Sequence, residues 1–113
     1  MARIKRIYDP PAPEDGARIL VDRLWPRGIA RDEARLDEWL KEIAPSDELR
    51  KWFGHDPARW EEFRERYRRE LEAKAELLDH LRALAGKGTV TLLFAAKDEA
   101  HNNAVVIEEL LQP

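Results

Sequence analysis

The run TVTLLFAA, residues 89–96, is apolar on both parities. A strand with one face in water alternates apolar and polar residues, whereas a strand covered on both faces does not. Strands of the second kind belong to parallel sheets with helices packed over them. This one stretch therefore predicts a buried strand and an α/β domain around it. Two more segments read as strands. ARILVD, residues 17–22, is a short aliphatic and β-branched run. RIKRIYD, residues 3–9, carries Ile4, Ile7 and Tyr8 in imperfect alternation. The breaker cluster PPAPEDG, residues 10–16, separates them as a loop.

The rest of the chain has helical spacing. From Asp32 to Ile43 the apolar positions Leu36, Trp39, Leu40 and Ile43 fall at i, i+3, i+4 and i+7, which predicts one helix ending at Pro45. Ser46 is the only serine, and Asp47 and Glu48 follow it, so it reads as the N-cap of a short helix that stops at Gly54. Asp56 and Pro57 form another start signal. The stripe Trp60, Phe63, Tyr67, Leu71, Leu78 and Leu81 then predicts one long helix to about Leu84. KDEAHNNAVVIEELL closes the chain as a helix, with Asp98 as its expected N-cap. The expected fold is a single α/β domain over residues 1–113, with a largely parallel three-stranded sheet packed by about four helices.

Composition excludes several function classes. Twenty basic and 23 acidic residues give a net charge of −3, which provides no general attraction for nucleic acid. No cysteine is present, so thiol nucleophiles, thiolate metal sites and disulfides are ruled out. No segment approaches the roughly 18 consecutive apolar residues of a membrane span. A cytoplasmic protein is expected. The Arg- and Glu-rich, amide-poor composition suits a thermophile and equally a high-GC genome. No GxSxG, P-loop or GxGxxG motif occurs, and the three histidines lack metal-ligand spacing. No cofactor and no metal are expected.

Parallel sheets gather function at the carboxyl ends of their strands. Two loops fall there: DRLWPRG after the second strand and KDEAHNN after the last. The only two asparagines, Asn102 and Asn103, stand side by side in the second loop. With Asp98 as the cap, Asn103 shares a face with Ile107 and Leu110 and points inward, while Asn102 lies on the flank. Asn103 then either ties the two loops together or binds a ligand between them. Arg23, Arg27 and Lys97 are the cations that an anion would need there. They could equally pair with Asp22 or Asp98, or stay solvated. Trp25, held rigid by Pro26, is either a lid on the core or a stacking platform for a planar ligand. His55 with Asp56 offers an acid–base pair or a simple helix corner. His101 falls in the first turn of the last helix, and His80 lies on a solvated face. Ser46 has no local base to make it a nucleophile.

ILVDRLWPRG, WLKEIAPSDELRKWFGHDPARWEEF and LLFAAKDEAHNNAVVI together resemble, in order and spacing, the YeaO-like family of domain of unknown function 488. The likeness runs along nearly the whole chain. The resemblance implies a β-α-β start of parallel type, with PPAPEDGA here as a shortened first connection. Longer family members carry Cys-His-Arg where this chain reads His101-Asn102-Asn103, so any cysteine chemistry of theirs has no counterpart. The signature positions it implies are Asp22, Arg23, Trp25, Pro26, Arg27, Gly28, Lys41, Pro45, Ser46, Asp98 and Asn103. The family has no established activity. Some members are labelled as MarR-type regulators, and no winged-helix pattern is present here to match that label.

The resulting expectation is a ligand site for a small anionic or planar molecule, formed by Asp22, Arg23, Trp25, Arg27, Ser46 and Asn103. Lys41 and Asp98 are the candidate proton handlers. Two other readings stand beside it: a nucleic-acid-binding or regulatory protein, and a non-catalytic interaction module. The second draws on the four tryptophans and leaves room for a homo-oligomer.

Overall fold

The computed structural model describes residues 1–112. Four strands form one sheet: β1 (Ala2–Arg6), β2 (Ala17–Leu20), β3 (Glu38–Trp39) and β4 (Val90–Phe94). Their order is β1-β4-β2-β3, and every neighbouring pair is parallel. The doubly apolar run is thus the inner strand, with Leu92 opposite both Ile4 and Ile19. All five residues of β4 are buried. Val90, Leu92 and Phe94 face the larger side of the core with Ile19 and Val21. Leu93 faces the smaller side with Leu20 and Ile7.

Helices cover the larger side: α2 (Asp47–Phe53), α3 (Trp60–Glu72), α4 (Ala75–Lys87) and α5 (Asn103–Leu111). The smaller side is closed by one short helix, α1 (Arg31–Ala34), and by Trp25, Ile29, Leu36 and Trp39. The sheet therefore has four strands where three were expected, and five α-helices where about four were expected.

The helix expected over residues 32–43 does not form. Arg35 turns left-handed at φ 51° and ends α1. The chain then runs beside β2: the Asp37 N–H donates to the Arg18 carbonyl at 2.8 Å and the Leu40 N–H to the Leu20 carbonyl at 2.9 Å. The helical spacing misled because its apolar members divide between the two sides of the sheet. Leu36 and Trp39 pack on the smaller side, and Leu40 and Ile43 on the larger. Arg18 fixes this arrangement from within. It is 5% exposed, and its guanidinium donates to the carbonyls of Ala34 and Arg35, which α1 leaves open.

The single helix expected from Pro57 to Leu84 is likewise two. Residues Pro57–Arg59 form a 3-10 turn, and Ala73 and Lys74 break the run between α3 and α4. Lys74 leaves helical geometry at φ −118°, ψ 38°, and its Nζ donates to the Ala44 carbonyl at 2.9 Å. The break lets α3 lie on α2 and α5 while α4 reaches β4. Residues 46–54 follow the expectation: the Ser46 hydroxyl accepts from the Leu49 N–H, and Gly54 closes α2 in the left-handed region at φ 53°.

Between β1 and β2 a buried carboxylate stands where a longer connection would place a helix. Asp15, 2% exposed, accepts from Lys5 Nζ at 3.0 Å, from Arg18 Nη1 at 2.5 Å and from the Ala12 N–H at 3.0 Å. Burial alone would raise this carboxyl. The backbone donor and the two cations outweigh it and hold the group below its usual value. Gly16 follows at φ 61°, so close to β4 that a Cβ would stand 2.2 Å from the Thr89 carbonyl oxygen. Among the described residues, no helix is long and apolar enough to cross a membrane.

Candidate functional site

β2 and β4 end side by side, so the loops that leave them meet above the carboxyl edge of the sheet. The Val21 N–H still pairs with the Leu93 carbonyl at 3.1 Å, and Asp22 is the first residue past the ladder. Its Oδ2 accepts from the Ala95 N–H at 2.9 Å, which joins the two strand ends. Its Oδ1 accepts from Asn103 Nδ2 at 3.2 Å. The same amide nitrogen donates to the Val21 carbonyl at 2.9 Å. Asn103 therefore ties the start of α5 to the end of β2, as the tying alternative proposed. Burial raises the Asp22 carboxyl above its ordinary value, opposed by the Ala95 and Asn103 hydrogen bonds and by the charge of His55.

The two asparagines have separate tasks. Asn102, not Asp98, is the N-cap of α5: its Oδ1 accepts from the Val105 N–H at 3.2 Å. Its Nδ2 donates to the Asp98 carbonyl at 2.9 Å, and the residue is 2% exposed. Asp98 caps the preceding turn instead, accepting from the N–H groups of Ala100 and His101. It also pairs with His101 Nδ1 at 2.9 Å, and that contact, ahead of the backbone donors, lowers its pKa. The helix thus starts four residues later than expected, and the buried asparagine is the one placed on the flank. Sequence reasoning missed this because Asp98, Asn102 and the residues between them offer two capping signals in one short stretch.

Around this junction lies a cleft of about 660 Å³, within the range of small-molecule sites. Asp22, Arg23, Trp25, Arg27, Asp98 and Asn103 all line it, so the structure brings together six of the eight expected residues. Ser46 and Lys41 are engaged outside it. The Ser46 hydroxyl donates to Glu70 Oε2 at 2.6 Å besides capping α2, and Lys41 Nζ lies 5.1 Å from the Trp39 ring centre. Lining residues that were not assigned to the site from the sequence include Arg50, Phe53 and Phe63, and also His55, which the sequence offered only as an acid–base pair or a helix corner. His55 carried a local signal, the corner after Gly54, and it holds a left-handed φ of 58° that is uncommon without a glycine. The contribution of α2 and α3 depended on how those helices pack over the sheet end, which no local pattern encodes.

The cations of the cleft are sparsely partnered. Arg23 Nη2 donates to the Ala44 carbonyl at 3.3 Å, and its buried Nε has no hydrogen-bond partner; Asp47 Oδ1 lies 3.9 Å away. Arg27 and Lys97 are exposed at the rim and join no ion pair among the described residues. Trp25 is mainly a lid. Its Nε1 donates to the Ile29 carbonyl at 2.7 Å, its edge meets Trp39 at 5.3 Å, and the Arg31 guanidinium lies over its ring at 4.3 Å.

These features define an all-parallel α/β domain with a cleft at its strand ends, and its family can be assigned. The model described as "Inactive DUF488-N3 subclade" matches residues 1–113, and the chain belongs to this DUF488 family. It is 47% identical over 108 residues to the uncharacterized protein YeaO of Escherichia coli (strain K12), covering 96% of this chain and 94% of that one. It is 45% identical over 109 residues to an uncharacterized protein of Mycobacterium tuberculosis (strain ATCC 25618 / H37Rv), covering 96% of this chain and 92% of that one. An uncharacterized protein of Mycobacterium bovis (strain ATCC BAA-935 / AF2122/97) matches over the same extent at the same identity. No solved structure matches.

Proposed function

We propose that the strand-end cleft binds a small organic anion and does not transform it. The observation that carries this reading is the set of uncommitted donors over an apolar wall: Arg23 with its unpartnered Nε, and Arg27 and Lys97 without an acidic partner. A buried N–H without an acceptor costs about 1–3 kcal/mol, and a bound anion would supply the acceptor. Cations at the mouth would also raise the local anion concentration. Phe53, Phe63 and Leu24 give the ligand an apolar surface to cover. The family description, with the word "inactive", agrees with binding alone. So does the commitment of Asp98, one of the two candidate proton handlers, to His101 and to two backbone N–H groups. Arg31 over one face of Trp25 supports the anionic reading over the planar one.

The test is thermal-shift screening with nucleotides, phosphosugars, carboxylic acids and inorganic phosphate, on the wild type and on Arg27→Ala. Arg27 is exposed and without an ion pair, so its removal changes stability by less than about 0.5 kcal/mol. It weakens the binding of every anionic hit. A ligand-independent loss of stability in Arg27→Ala, with binding intact, would assign the loop a folding role only.

A further inference from the structure

The floor of the cleft has the opposite character from its rim. Asp22 has no cation paired with it among the described residues. Its two partners, the Ala95 N–H and the Asn103 amide, are neutral. The neighbouring guanidinium of Arg23 is turned toward the Ala44 carbonyl and Asp47. Asn103 gives its Nδ2 hydrogens to Val21 and Asp22, and no donor among the described residues reaches its Oδ1. The floor therefore offers acceptors, a carboxylate and an amide carbonyl, while the rim offers donors. A half-buried carboxylate with no charged hydrogen-bond partner is costly even with His55 near enough to favour its ionised form, and a plain anion entering the cleft would add like charge to it.

A molecule that satisfies both ends carries an N–H-bearing cation and an anion on one skeleton. The lining is otherwise largely apolar and includes Leu24, 63% exposed, and the buried rings of Phe53 and Phe63. A nucleobase would need a free aromatic face. Trp25 has Arg31 over one face, and Phe53 and Phe63 stack on each other at 4.3 Å. Building on the anion-binding reading, we infer that the cleft takes a zwitterion, an apolar α-amino acid, with its ammonium on Asp22 and Asn103 and its carboxylate on Arg23, Arg27 or Lys97.

The experiment is calorimetric titration of the full chain with leucine, methionine, phenylalanine and tryptophan. Each is compared with its deaminated acid and its decarboxylated amine, and guanosine monophosphate is run alongside. The expected result is that at least one amino acid binds. Both of its truncated analogues then bind about tenfold to a hundredfold more weakly, the worth of one charged hydrogen bond. Asp22→Asn then loses the preference for that amino acid over its deaminated acid but still binds the acid. Should the variant fail to fold, the wild-type series decides alone. Equal binding of the deaminated acid, or tighter binding of the nucleotide, overturns the zwitterion and leaves the anion reading standing. Binding of phosphate or other anions with no response to the four amino acids does the same. No binding of any compound removes both readings.

Discussion

At the scale of single residues, adjacent side chains of one type do unlike work here. Asn102 and Asn103 differ only in where the last helix begins between them. Asn102 supplies its cap and ties down the Asp98 carbonyl, and Asn103 bolts the helix tip to β2. An N-cap asparagine is worth about 1 kcal/mol, and the part-buried Asp98 carbonyl left without its donor adds up to about 1–3 kcal/mol. Asn102→Ala is therefore expected to cost about 2–4 kcal/mol, measured as a lowered urea midpoint at unchanged slope. A cost below about 0.5 kcal/mol would mean that the cap is not where the structure puts it. The residue types at this junction were readable in the chain, and so was their meeting with the DRLWPRG loop. Which asparagine took which task was not, because it depends on a four-residue shift in the helix start.

At the scale of elements, the first connection is the least forgiving part of the molecule. Gly16 passes β4 so closely that no side chain fits, and its φ of 61° is itself unfavourable for other residues. Gly16→Ala faces both penalties and is expected to destabilise the fold by at least about 3 kcal/mol. Chemical denaturation measures it, and a change within about 1 kcal/mol would show that the loop can move away from Thr89 at little cost. Periodicity read β4, α2 and the two flanking strands correctly, because their neighbours reinforce the local pattern. It failed over residues 32–43. There the same four apolar residues satisfy helical spacing, but burial on two opposite sides of a sheet edge outweighs the propensity. Arg18, which holds that edge through the carbonyls of Ala34 and Arg35, lies far from it in sequence and gave no signal.

At the scale of the whole molecule, two aspartates, Asp15 buried and Asp22 half-buried, pull the pH dependence of stability in opposite directions. Asp15 lies below its ordinary value of 3.8 in the folded state. Its contribution is complete above that value and is lost as pH falls through the lower folded pKa. Asp22 lies above 3.8. Its contribution is fully present below that value and is lost as pH rises through the higher folded pKa. Urea midpoints of the wild type and Asp22→Asn across the acidic range separate the two. The wild type is expected to gain on the variant toward low pH, over and above any constant offset from the changed hydrogen bonds. A difference that does not vary with pH would show that Asp22 titrates like an exposed carboxylate.

The class of fold, the inner strand, the caps of α2 and the two loops that form the cleft are all legible in the chain. Each of these is recorded in residues that are near neighbours in the chain: an apolar run, a serine before two acids, a tryptophan–proline turn. The fourth strand, the break between α3 and α4, the start of α5 and the lack of an ion pair at Asp22 among the described residues come instead from packing in three dimensions. These depend on groups brought together from distant positions, such as Arg18 with Ala34, Lys74 with Ala44 and Asn103 with Val21. A buried polar group takes whichever partner the packing provides, and that choice is made in space rather than along the chain.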